Sequence, residues 1–90
     1  MSEISDLVEL LQSTPADEER YRVVRWAGCT YRVRVHYEPP WRRWHYATID
    51  EQLDGQWVRV AKTARCLRPY HPSVIGAAAK QIIFHAEASR

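Results

Sequence analysis

The sequence predicts an α+β fold: a four-stranded antiparallel β-sheet, a meander of two hairpins, flanked by an N-terminal and a C-terminal helix in the order α-β-β-β-β-α. Three observations predict it. Apolar residues recur at helical spacing near both ends of the chain, at Ile4, Leu7, Val8 and Leu11 and again at Ile75, Ala78, Ala79, Ile82 and Ala86. Between them the apolar residues alternate in twos, the period of a half-buried strand. Two glycine-containing turns, at Gly28 and Gly55, divide that middle stretch into hairpins. Ninety residues suit one domain, 1–90, made of an acidic helix and linker (1–19), a basic, aromatic-rich sheet (20–70) and a closing helix (71–90).

The first helix is expected over residues 3–12, with Ser2 or Ser5 accepting its first free amide hydrogens. Thr14 and Pro15, followed by Asp17 and Glu18, form another helix-start pattern, but the segment to Arg20 is too polar for more than a surface turn and reads as a linker. Strands follow at about 21–27 and 30–37. With Gly28 and Cys29 as a two-residue type II′ turn, Arg25 faces Arg32 and Val24 faces Val33. Pro39 and Pro40 interrupt pairing, since proline donates no hydrogen bond. A second hairpin, about 44–52 and 56–63, turns at Asp54 and Gly55, which places Ile49 against Val60, Asp50 against Arg59 and Glu51 against Val58. Residues 64–72 are expected to form an irregular connection, after which Ser73 caps a helix over 74–88. The predicted core sets Val24, Val33, Val35, Ile49, Val58 and Val60 against Leu7, Leu11, Ile75 and Ile82.

Charge is distributed unevenly. Residues 1–19 hold six acids and no base, whereas residues 20–70 hold ten arginines and Lys62 against four acids, within a chain whose net charge is +2. Nine of the ten aromatics lie in the same basic middle, a concentration that points to interaction chemistry. No run of apolar residues is long enough to span a membrane and the acidic N-terminus is unlike a secretory signal, so a cytoplasmic protein is expected. Cys29 and Cys66 form neither a C-x-x-C pair nor a disulfide framework and read as free thiols.

The leading candidate site is the polar face of the sheet, where Arg25, Arg32, Arg34 and His36 join Trp44, Tyr46, Trp57 and Arg59. Guanidinium planes and aromatic rings together suit phosphates and bases. The alternative is that a helix covers this face and its arginines pair with the acidic arm or with Asp50. A second candidate is the loop Trp41, Arg42, Arg43 and Trp44, because Trp and Arg are favoured binding anchors; the alternative has Trp41 folded over the core edge. A third is the stripe Ala77, Phe84 and Ala88 on the closing helix, a candidate homodimer contact.

Metal and catalytic readings find no support in the spacing. His36, His45, His71 and His85 are scattered, the three glycines are isolated, and Cys29 sits at a hairpin tip without a local nucleophile signature. The expectation is a non-enzymatic module without cofactor or metal, engaging an anionic partner, either nucleic acid or an acidic protein surface, with no membrane association. The size and composition also suit an accessory protein of a phage or mobile element that binds and modulates a host protein.

Overall fold

A computed structural model describes residues 2–38, 44–67 and 71–89, and of Leu67 and 71–73 it describes the backbone. The elements are α1 (Glu3–Ser13), β1 (Arg22–Trp26), β2 (Cys29–Tyr37), β3 (Trp44–Leu53), β4 (Gln56–Lys62), β5 (Cys66–Leu67) and α2 (His71–Ala88). The order is α-β-β-β-β-α as expected, with β1 to β4 antiparallel neighbours in chain order and the two-residue β5 added beside the start of β3. That short strand corrects the expectation of an irregular 64–72 segment. Thr63 makes the link: its Oγ1 accepts from Ala47 N at 2.8 Å and its own N–H donates to Ala47 O at 2.9 Å, carrying the β3 ladder across from β4 to β5.

Helix α1 begins where Ser2 Oγ accepts from Ser5 N (3.1 Å), with Glu3 and Asp6 complementing the positive end of the dipole. It ends where Thr14 gives both its N–H and its hydroxyl to Leu10 O, just ahead of Pro15. Helix α2 starts at His71, three residues before the expected start, so Ser73 lies inside it. Pro72 permits this, because the first turn of a helix has no use for its N–H. Both helices pack on one face of the sheet. Leu7 and Leu11 from α1, Val74, Ile75, Ala78, Ala79 and Ile82 from α2, and Val24, Tyr31, Val33, Ala47 and Ile49 from the sheet form one buried cluster.

The first hairpin departs from its expected register. Its turn residues are Ala27 (φ 53°) and Gly28 (φ 80°), a type I′ arrangement, so Val24 faces Tyr31 and Arg25 faces Thr30. A left-handed alanine costs about 1–2 kcal/mol. The register it permits separates Arg25 from Arg32, whose like charges would oppose pairing. Each residue's partner moves by two positions, which is why every side chain keeps its expected face.

The second hairpin turns at Asp54 (φ 51°) and Gly55 (φ 78°) as expected, and the Asp50–Arg59 and Glu51–Val58 pairs stand. Beyond Asp50 a bulge at Val60 shifts the pairing, so that Ile49 faces Ala61 and Thr48 faces Lys62. Without it Lys62 would point at the helices. The bulge turns the ammonium out and Ala61 in. One expected core residue is misplaced: Val58 is on the helix-bearing side of β4 but 42% exposed, whereas Val60 and Ala61 of the same strand pack against the core.

Candidate functional site

The side of the sheet away from the helices carries Arg25 on β1, Arg32, Arg34 and His36 on β2, Trp44, Tyr46, Thr48 and Asp50 on β3, and Trp57, Arg59 and Lys62 on β4. Strand alternation brings them there: even-numbered residues of β2 and β3 share this face through the pairs Arg32–Asp50, Arg34–Thr48 and His36–Tyr46. Among the described residues the surface therefore holds five cationic side chains and a single strand carboxylate.

Asp50 organises its centre. The Nε of Arg32 donates to Asp50 Oδ2 at 2.7 Å and the Nε of Arg59 donates to Oδ1 at 2.6 Å. Burial pushes a carboxyl group's pKa up, but the bonds from Arg59 and Arg32 outweigh burial here and hold Asp50 below the ordinary aspartate range. The Asp50 side chain is 3% exposed, whereas Arg32 and Arg59 are 22% and 54% exposed. A guanidinium has five N–H donors. Asp50 takes only the Nε–H from each, and the terminal nitrogens of both arginines bond to no other group among the described residues.

Aromatic rings lie against Arg32 and Arg34. The Arg32 guanidinium lies 4.0 Å from the Tyr21 ring centre and 4.7 Å from that of Trp57, and Arg34 lies 5.4 Å from Tyr21. Beside them His36 stacks parallel to Tyr46 (4.8 Å, 8°), and Lys62 reaches the same ring from β4 at 4.6 Å. His36 Nε2 is hydrogen-bonded to Thr48 Oγ1 at 2.9 Å. Burial first, then the charges of Arg34, Arg59 and Lys62, lower the His36 pKa below the ordinary imidazole value, against a smaller opposing effect of Asp50. At the rim Arg65 pairs with Glu38 (3.0 Å) and lies 5.5 Å from the Trp44 ring centre.

The structure thus brings together Arg32, Arg34, His36, Tyr46, Trp57 and Arg59, with Arg25 and Trp44 at the margins. Trp41, Arg42 and Arg43 lie outside the described residues. Tyr21, Thr48 and Lys62 were not in the expected site; Lys62 joins it because of the bulge, and Tyr21 because alternation continues one residue ahead of β1. The acidic arm does not lie against these arginines. Helix α1 is in the layer on the other side of the sheet, and Asp17 instead accepts from the backbone N–H of Glu19 and Tyr21, both at 2.9 Å. Ala77 is half-buried, Ala88 exposed, and Phe84 is 73% exposed on the outer side of α2.

Two features on the helix-bearing side have structural explanations. Glu51 bonds His85 Nε2 at 2.7 Å and fastens the end of α2 to β3, next to the buried Tyr31. Burial, with the Cys29 thiol and the Glu51 carboxylate adding to it, pushes the Tyr31 hydroxyl up to about 12. A cleft of about 290 Å³ lies among Ala16, Arg20, Arg22, Val33, Val35 and Tyr37. Arg22 donates there to Leu11 O (3.3 Å), tying β1 to the C-terminal end of α1. Among the described residues no group of three or more His, Cys, Asp or Glu side chains is placed to hold a metal ion, and no helix is long and apolar enough to cross a membrane.

No protein-family model, no curated protein and no solved structure matches this chain.

Proposed function

We propose that the open sheet face is a non-enzymatic docking surface for an extended polyanion, and that the polyanion is single-stranded nucleic acid. The observation that carries this reading is the way Asp50 grips Arg32 and Arg59 by Nε alone. The carboxylate orients two forks without consuming them, so their terminal N–H groups stay available for phosphate oxygens. Arg25, Arg34 and Lys62 have no carboxylate partner among the described residues and extend the positive surface across the strands. An open sheet face with helices behind it and rings and guanidinium planes in front supports stacking and backbone contact with an unpaired strand.

Fluorescence anisotropy of a labelled oligothymidylate against salt concentration tests it. Binding is expected at low salt, and each phosphate that the surface neutralises should add about 0.7 to the steepness of the logarithmic salt dependence. Arg34→Gln and Lys62→Gln should each flatten the slope by about that amount. Absence of binding at low salt rejects the reading.

A second reading rests on a separate observation. Tyr46 is flanked by His36 and Lys62 of its own chain, which leaves that ring less available to a base. The guanidinium forks fit the carboxylates of an acidic protein equally well, as an accessory protein acting on another protein requires. Retention of polyglutamate without oligonucleotide binding would select it.

A further inference from the structure

We propose that His36 is a proton-coupled contact of the open face: a phosphodiester docked over Arg34 and Lys62 draws a proton onto the imidazole, so nucleic-acid affinity rises as pH falls. This inference rests on the nucleic-acid reading above and adds the regulation of that site.

The geometry supplies each requirement. His36 is one residue from the C-terminal end of β2, with Arg34 on its own strand and Arg59 and Lys62 from β4 nearby, while the nearby carboxylate of Asp50, on β3, is already engaged by Arg32 and Arg59. Parallel stacking on Tyr46 and the Nε2 bond to Thr48 fix the ring plane. Nδ1 has no protein partner among the described residues. Once protonated, both ring nitrogens are donors, and Nδ1–H can bond a phosphate oxygen.

Without ligand, partial burial and three neighbouring cations favour the neutral ring. A phosphodiester brings negative charge among those cations and offsets their repulsion, which favours the charged ring in the complex. The bound-state pKa therefore exceeds that of the free protein. Affinity is flat above the bound-state value, rises as pH falls between the two, and is flat again below the free-state value. Each unit of separation corresponds to about tenfold in affinity.

The probe is an oligothymidylate of about 15 nucleotides without terminal phosphate, whose phosphodiesters and bases do not titrate between about pH 5.5 and 8. Anisotropy at both pH values compares wild type with His36→Gln, and NMR follows the imidazole of wild-type His36 with and without the oligonucleotide. The second measurement needs no variant. The expected result is binding about tenfold tighter at the lower pH, a gradient lost in His36→Gln, and an upward shift of the His36 titration on binding. An equal gradient in both proteins, or a His36 that titrates identically free and bound, overturns the proposal while leaving the nucleic-acid reading intact. No binding at either pH overturns both.

Discussion

The two faces of this sheet reach order by different means. On the covered face, aliphatic side chains from strands and helices exclude water, and apart from the Glu51–His85 bond the contacts that join helices to sheet are mostly non-directional. On the open face nothing comparable lies above the strands among the described residues, yet Asp50 is as deeply buried as many core residues. Its partners are lateral: Arg32 and Arg59 each bring Nε onto the carboxylate from a neighbouring strand, while their side chains remain partly in water. A face ordered by directional bonds between neighbours keeps its functional groups at the surface. A face ordered by apolar packing hides them.

The largest expected effect tests the covered face. Ile82 is fully buried between α2 and the sheet, so Ile82→Ala should cost about 2–5 kcal/mol in urea unfolding, a large part of a small domain's stability. A loss under about 0.5 kcal/mol would mean that the helices are not held by this cluster.

The open face should be weaker. Asp50→Asn removes the charge that two guanidiniums share, but Arg59 is more than half exposed and water screens its contribution. A loss of about 1–3 kcal/mol is expected at neutral pH. Because the folded-state pKa of Asp50 is depressed, its contribution is present in full above the unfolded-state value and is lost as pH falls through the folded-state value, below about pH 4. Urea titrations at pH 7 and pH 3 should show the gap between wild type and Asp50→Asn closing at the lower pH. A gap at pH 7 larger than that of Ile82→Ala would invert the comparison of the faces.

The covered face was also the more legible in sequence. Period-two alternation and the helical stripes placed nearly all of its residues, and even the two-position error in the first hairpin left each residue on its expected side. The Asp54–Gly55 pair located one turn because both residues tolerate positive φ; Ala27 announces no such turn. The organising centre of the open face was harder to read. It depends on the Arg32–Asp50 pairing between β2 and β3, for which the sequence offers no two-residue turn signal from which to read a register, whereas the Asp50–Arg59 pair followed directly from a tight turn. The outward position of Lys62 depends on a bulge that alternation alone does not announce, although an inward lysine against Ala47 was its only unbulged alternative.

The smallest expected effect concerns neither face of the sheet but the outer side of the helix layer, where Phe84 stands 73% exposed. If apolar burial orders only the side of α2 that meets the sheet and α1, Phe84 contributes almost nothing to the monomer, and Phe84→Gln should change stability by less than about 0.5 kcal/mol. The homodimer expected from Ala77, Phe84 and Ala88 makes a different prediction, because an assembly that binds only the folded chain raises the melting temperature as protein concentration rises. Thermal melts of wild type and Phe84→Gln across a hundredfold range of concentration separate the two. Concentration-independent melting in both proteins, with closely similar midpoints, leaves the comparison of the sheet's faces complete as drawn. A wild-type midpoint that climbs with concentration, and a variant midpoint that does not, would add a third ordered surface whose cover is a second copy of the chain.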